Sequence, residues 1–236
     1  MKKAKSHTFL GTCVRYINKY VLSHIGLILI KDRYVNSTSN RVYNSFVFEG
    51  NDFIRYNMLE LLASEIDRKK VSGAVAEIGV YRGDFACIIN KVFPTKKLYL
   101  YDTFQGFDIT DIKCSLTKKH NDIMEDFSNT GIDCVLSKMV HKKLCIIRKG
   151  YFPQTARPEK NEHFCFVSID PDLFEPTYNA LKFFYPRLSY GGYIMVHDYL
   201  SSQYEGSRKA IQQFSREEKV PFLIIPDHMG SAIFMK

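Results

Sequence analysis

Two apolar runs near the end of the chain, Phe222 to Ile225 and Ala232 to Met235, are separated only by a short connection carrying Asp227-His228-Met229-Gly230-Ser231. Parallel neighbours in a sheet need a crossover of about a dozen residues or more, so these two strands cannot be parallel neighbours. Upstream the pattern is the opposite one. Val75 to Val80 is followed by a helix with Phe85, Ile88, Ile89 and Val92 on its apolar side, then by the runs Leu98 to Tyr101, Leu144 to Ile147 and Phe164 to Ile169. A helix from about Pro176 to Arg187, a strand Tyr193 to Val196 and a helix from about Gly206 to Glu218 complete the alternation. Pro176 suits a first helical turn, and Gly191-Gly192 reads as the stop that ends this segment. Alternation of this kind builds a parallel sheet with helices on both faces. The expected fold is therefore α/β, with a seven-stranded, mostly parallel sheet and a reversed strand at the C-terminus.

A chain of 236 residues with 45% hydrophobic content can bury one substantial core. The expected organisation is a basic extension over residues 1–50 and one domain over residues 51–236. Residues 1–50 hold eight Lys or Arg against Asp32 and Glu49, and so carry +6 of the chain's net +8. A near-neutral remainder argues against a domain that tracks nucleic acid, which would carry a basic stripe of its own. The basic, partly apolar N-terminus suits contact with an anionic membrane surface or an acidic partner, and equally a solvated arm. Its longest apolar run, Val21 to Ile30, is too short to span a bilayer and is interrupted by Ser23, His24 and Gly26. Arg15 and Lys19 break any secretory apolar region, and no small-x-small site follows Ile30, so the expected location is cytoplasmic. A homo-oligomer stays open. The six cysteines form no C-x-x-C pair and no Cys/His group at zinc spacing, and Cys87, Cys145 and Cys165 fall in apolar runs suited to buried thiols.

The first strand runs into a glycine-bearing turn, Glu77-Ile78-Gly79-Val80-Tyr81-Arg82-Gly83-Asp84. In doubly wound folds such a strand–turn–helix unit holds a nucleotide-like ligand at the sheet edge. A turn built for pyrophosphate offers glycine N–H groups and a positive helix end, with no carboxylate aimed at the anion. Here Glu77 stands two residues before the first glycine and Asp84 opens the helix. Two acids suit amines, hydroxyls or a sulfonium cation better than phosphates, which tilts the reading from a dinucleotide to S-adenosylmethionine. An ordinary strand-to-helix turn would use the same glycines. The second strand ends in Asp102, where a carboxylate can accept hydrogen bonds from both ribose hydroxyls of a nucleoside. A capping or turn aspartate is the plainer alternative.

Three blocks carry a more specific pattern: Ala76-Glu77-Ile78-Gly79-Val80-Tyr81-Arg82-Gly83, Tyr101-Asp102-Thr103-Phe104-Gln105-Gly106-Phe107, and Ser168-Ile169-Asp170-Pro171-Asp172-Leu173-Phe174-Glu175-Pro176-Thr177. The last continues through Phe184-Tyr185-Pro186-Arg187-Leu188 and Gly191-Gly192-Tyr193 to His197-Asp198-Tyr199. These blocks resemble the macrocin O-methyltransferase (TylF-type) family of S-adenosylmethionine-dependent sugar O-methyltransferases. Lys149-Gly150-Tyr151-Phe152-Pro153-Gln154-Thr155 is similar to the family's segment after the third strand. The expected sheet, with its reversed last strand, is likewise the class I methyltransferase arrangement. The resemblance implies that Glu77, Gly79, Tyr81 and Gly83 line the methionine side of the cofactor. It implies that Asp102, with Thr103 and Phe104, holds the ribose and flanks the adenosine.

Asp170 and Asp198 end two strands that the fold sets side by side. Family members that end the later strand in two aspartates bind a divalent metal, usually magnesium, through that pair and the earlier acid. This chain has His197 in place of the first of the two. An imidazole in the set disfavours magnesium and is accepted by manganese, iron or zinc. Three readings follow for His197: a ligand beside Asp170 and Asp198 in a site of softer preference, a general base in a metal-independent enzyme, or a structural residue facing the core. Asp170 is the favoured catalytic base or metal ligand, with a polar strand-end turn at Asp170-Pro171-Asp172 as the plainer reading. The expected acceptor is a small molecule or glycan, whether a free glycan, a nucleotide-sugar or a lipid-linked saccharide. Nothing in the sequence reads as an apolar cavity for a flat aromatic acceptor. Residues 108–143, with Lys113, Lys118, Lys119, His120, Lys138, His141, Lys142 and Lys143, suit either a cover that meets an anionic acceptor or a solvated surface. The rival classes are an NAD(P)-binding oxidoreductase, for which no G-x-G-x-x-G motif is present, and a non-catalytic binding protein on the same fold.

Overall fold

The computed structural model describes residues 9–22, 52–107, 127–156, 162–202 and 205–236. The chain divides into two units, Met1–Arg41 and Val42–Lys236. The boundary expected at residue 50 falls outside the described residues. In the first unit a helix, α1, spans Phe9–Tyr20. Tyr16, Ile17, Tyr20 and Val21 on and just after it are exposed, and Lys19 Nζ lies 4.9 Å from the centroid of the Tyr20 ring. No helix among the described residues is long and apolar enough to cross a membrane.

Among the described residues, the first element of the second unit is α2, Phe53–Arg68, a helix not anticipated from the sequence. Asp52 caps it, its Oδ1 accepting the N–H groups of Ile54 at 3.1 Å and Arg55 at 3.2 Å. Tyr56, Leu59, Leu62, Ala63 and Ile66 then recur at helical spacing and are buried. The strands follow: β1 Ala74–Ile78, β2 Leu98–Asp102, β3 Cys145–Lys149, β4 Phe164–Ile169, β5 Leu188–Val196, β6 Leu223–Ile225 and β7 Ser231–Met235. Between them lie α3 Asp84–Val92, α4 Ile132–Lys138, α5 Phe174–Arg187 and α6 Glu205–Glu218.

All seven strands form one sheet in the order β3-β2-β1-β4-β5-β7-β6. The first five pair in parallel, and β7 runs antiparallel to both β5 and β6. The closing hairpin thus reverses one strand, as its short connection requires. Alternate strand residues feed two cores. Val75, Leu98, Leu100, Phe166 and Met195 pack with α2, α3 and α4, whereas Ala76, Tyr99, Tyr101, Val167 and Ile194 pack with α5 and α6. Each fully buried large side chain contributes about 1.5–3 kcal/mol.

The expected helix stop at Gly191-Gly192 is corrected. The helix ends at Arg187 and both glycines lie inside β5. The register against β4 shifts between Phe164 and Phe166. At this irregularity Gly191 takes φ +81°, and a Cβ on Gly192 would stand 2.9 Å from the Cys165 carbonyl oxygen. Glycine here serves a close strand approach. The chain leaves the sheet centre in opposite directions from β1 and β4, and this switch point opens a crevice at the strands' carboxyl ends, where open α/β sheets hold ligands.

Candidate active site

A cavity of about 540 Å³ occupies that crevice, and Glu77, Gly79, Tyr81, Asp102, Thr103, Asp170, His197 and Asp198 all contribute to its wall. The residues selected from the sequence are thus gathered in one place, with two exceptions. Gly83 and Phe104 do not line the cavity. Gly83 sits at φ +78° before α3, and a Cβ there would lie 2.9 Å from Val135 Cγ1 of α4. Phe104 has its side chain in the core on the α2–α3 side.

Under the cavity, Asp102 organises the glycine turn. Its Oδ2 accepts the N–H groups of Val80 at 2.7 Å and Tyr81 at 2.8 Å, and its Oδ1 accepts the Phe104 N–H at 2.6 Å. The ribose role expected for this carboxylate is therefore joined by another: it pins the turn. Two N–H groups already fill Oδ2, so a ligand hydroxyl would have to reach Oδ1, which holds the Phe104 N–H and only a long 3.5 Å contact from the Thr103 hydroxyl. Gly79 is required where it stands. At φ +79°, a Cβ would fall 2.1 Å from the Asp170 carbonyl oxygen, so only glycine lets β1 and β4 converge. Tyr81, Phe104, Asp172 and Asp198 also hold positive φ, at 48°, 54°, 60° and 62°. Left-handed backbone at such side chains costs energy and tends to cluster at ligand sites.

The β4–β5 side is a charge cluster. Arg55 of α2, unforeseen in the sequence, is buried, lies 4.0 Å from the Phe85 ring centroid, and pairs with Asp170 Oδ2 at 2.9 Å. Its Nε, and Oε2 of the buried Glu77, have no hydrogen-bond partner among the described residues. Burial drives the Glu77 carboxyl well above its ordinary range, against the opposing charge of Arg55. His197 Nδ1 stands 3.3 Å from Asp170 Oδ1 and 3.4 Å from Asp198 Oδ1. Burial alone would lower the imidazole pKa, but the Asp170 charge and hydrogen bonds to Asp170 and Asp198 push it up to about 10. Burial likewise works to raise Asp170, yet Arg55 and His197 hold its carboxyl below the usual range. Asp172 goes the other way, raised by burial and by its hydrogen bond to Asp198. A proton held as firmly as that on His197 weighs against a general base near neutral pH.

These residues fit a divalent cation. One ligand atom each from Asp170, His197 and Asp198 lies within 4.8 Å of the others. The Asp172 carboxyl, driven upward by burial first and then by the neighbouring Asp198 and Asp170, marks a cluster short of positive charge. The mixed oxygen and nitrogen donor set suits manganese, iron or zinc at least as well as magnesium.

The sequence showed nothing that reads as an apolar cavity for a flat aromatic acceptor, but the outer wall does carry aromatic rings. Tyr81, Phe107, Phe127, Tyr151 and Phe152 line the cavity, with the Tyr81 and Phe127 rings 5.2 Å apart and Phe107 and Phe127 5.0 Å apart. Distant segments supply these rings, so no local run betrayed them. Asp84 also lines the cavity and pairs with Lys138 at 2.6 Å. The part of the lysine-rich stretch at residues 108–126 lies outside the described residues.

Comparison with known proteins bears on this arrangement. The macrocin-O-methyltransferase (TylF) family profile matches residues 50–232, and the chain belongs to that family. It is 29% identical over 167 residues to mycinamicin III 3''-O-methyltransferase of Micromonospora griseorubida, covering 61% of this chain and 62% of that protein. To demethyldecarbamoylnovobiocin O-methyltransferase of Streptomyces niveus it is 25% identical over 166 residues, covering 62% and 60%. The chain thus spans about three-fifths of the length of these relatives. The solved O-methyltransferase NovP superposes with a TM-score of 0.63 at 19% identity, over 77% of this chain and 79% of that one, and shares the fold.

Proposed function

We propose that the protein is an S-adenosylmethionine-dependent O-methyltransferase acting on a hydroxyl of a sugar or sugar-bearing small molecule. The observation that carries this reading is one cavity lined both by the Glu77–Gly79–Asp102 wall and by the Asp170–His197–Asp198 cluster. Family membership and a relative named for methylating a rhamnosyl-tetracenomycin support it. An electrophilic sulfonium methyl and an oxygen nucleophile need in-line alignment at about 3 Å, so placement supplies most of the rate.

The residues divide that work. Glu77, with its unpartnered oxygen, suits the ammonium group at the amino-acid end of the cofactor, and the turn pinned by Asp102 carries the nucleoside. Asp170, His197 and Asp198 would hold a divalent ion, which when bound supplies Lewis acidity and a template for the acceptor oxygen. Arg55 balances Asp170 from beneath. Because Asp170 is kept ionised by Arg55 and His197, it suits ligation or orientation of the acceptor hydroxyl more than uptake of its proton. The aromatic rim, Tyr81 with Phe107 and Phe127, offers apolar faces to an aglycone or a base.

Calorimetry with S-adenosylhomocysteine and with NADH, followed by methyl transfer to sugar hydroxyls with EDTA and with Mn²⁺ or Mg²⁺ returned, tests this reading. S-adenosylhomocysteine should bind and NADH should not, and Mn²⁺ should restore activity at least as well as Mg²⁺. Binding of NADH alone would overturn the assignment.

A further inference from the structure

The connection between β6 and β7 contains a buried acid that the catalytic reading leaves without a task. Asp227 is 8% exposed. Its Oδ2 accepts the Ser231 hydroxyl at 2.5 Å, while Oδ1 is buried and has no partner among the described residues. A buried carboxylate oxygen in that state is costly, so its position calls for a donor. One ligand atom each from Asp52, His197 and Asp227 lies within 4.8 Å of the others. The His197 ring is therefore within reach of two groups of acids, with Nδ1 3.3 Å from Asp170 and 3.4 Å from Asp198.

We infer that Asp227 is a positioning residue for His197: its free oxygen receives the ring N–H at Nε2 and so fixes Nδ1 toward the cavity. Asp52 is the competing acceptor, but its oxygens are already engaged. Oδ1 takes the Ile54 and Arg55 N–H groups and Oδ2 takes the His228 N–H. Asp227 Oδ1 is the acceptor left over. The separation is one that a single water molecule or a small side-chain rotation closes. Histidines that ligate metals nearly always give their other ring N–H to such a carboxylate or carbonyl, which sets the tautomer and raises ligand strength. The inference rests on the proposed reading of His197 as a site residue, yet the hydrogen bond itself needs no metal.

The test uses the full chain labelled with ¹⁵N-histidine, as wild type, Asp227→Ala and Asp227→Asn, with His197→Asn to assign the ring signals. Metal-free wild type should show a slowly exchanging Nε2 proton on His197. Asp227→Ala should lose it, and Asp227→Asn, which keeps the shape and the Ser231 contact but offers a neutral acceptor, should weaken its protection. Mn²⁺ affinity should fall about 10- to 100-fold in Asp227→Ala, with S-adenosylhomocysteine affinity unchanged as a check on folding. His197 ring signals superposable on wild type in the folded variants would overturn the inference. Should wild type take up no Mn²⁺, the metal reading falls while the ring proton still decides the role of Asp227. Should Asp227→Ala fail to fold, Asp227→Asn decides it alone.

Discussion

The two walls of the cavity are built on different principles. On the β1–β2 side, backbone N–H groups of one short turn converge on a single carboxylate, Asp102. That wall is held by hydrogen bonds between dipoles and one anion, and its exacting demands on residue type are the glycines at positions 79 and 83. On the β4–β5 side the contacts are between full charges: Arg55 with Asp170, and His197 between Asp170 and Asp198. The first wall reads as a pre-formed cradle for the nucleoside, with Glu77 Oε2 left unpartnered among the described residues. The second carries half-buried carboxyls displaced in opposite directions, Asp170 downward and Asp172 upward, and an arrangement of that kind gains from an added cation. On the proposed reading, recognition and chemistry are thus separated across the sheet's switch point.

The sharpest way to break this contrast is Asp170→Asn. The substitution is nearly isosteric but removes the negative charge facing Arg55 and His197. Methyl transfer should fall by about 10²–10⁴-fold, the range for a positioned proton-transfer or orienting group. Binding of S-adenosylhomocysteine, measured by calorimetry, should change little, since that ligand is assigned to the other wall. An equal loss in both measurements would show that the two walls act as one unit.

Asp102→Ala probes the cradle and should have the next largest effect. Losing a charge-assisted acceptor should cost on the order of 1.5–3 kcal/mol of S-adenosylmethionine affinity. The structure adds a second route to that loss, because the Val80, Tyr81 and Phe104 N–H groups lose their acceptor and the turn loosens. Asp102→Asn separates the routes: its amide oxygen still accepts from the turn but without charge. Affinity retained in Asp102→Asn and lost in Asp102→Ala would assign the effect to the pinned turn rather than to the nucleoside.

The same division explains what the sequence disclosed. The strand alternation, the reversed β7 and the Glu77–Gly79–Asp102 cradle follow from local rules: period, glycine punctuation and an acid at a strand end. Asp170, His197 and Asp198 were legible as strand-end residues. Their partners were not. Arg55 lies on α2, more than a hundred residues upstream of Asp170, and Asp227 sits in a turn that reads only as a tight connection. Asp52 ahead of Phe53, Tyr56, Leu59 and Ile66 was the available signal for α2, an N-cap followed by apolar residues at helical spacing. Nothing local marks Arg55 as buried, because its burial is dictated by an anion brought in by the fold. Phe104, which the resemblance placed beside the adenosine, gives its backbone N–H to Asp102 while its ring packs in the core.

The smallest effect on the cavity is expected from the region outside it. On and just after α1, Tyr16, Ile17, Tyr20 and Val21 are exposed, and the chain's first fifty residues carry +6 of its net charge. Exposed aromatic and aliphatic side chains beside lysines and arginines are suited to the interface of an anionic bilayer, where each basic residue adds about 1 kcal/mol near the surface and salt screens the attraction. We propose that this region contacts such a surface. Deleting residues 1–33 should abolish co-sedimentation with phosphatidylserine vesicles, and the full chain's binding should weaken steeply as salt rises from low to physiological strength. S-adenosylhomocysteine affinity should be the same in both forms, because the cradle residues all belong to the second unit. Equal vesicle binding by the truncated chain would remove the membrane role from this region, and a fall in cofactor affinity would show that the extension supports the cavity after all.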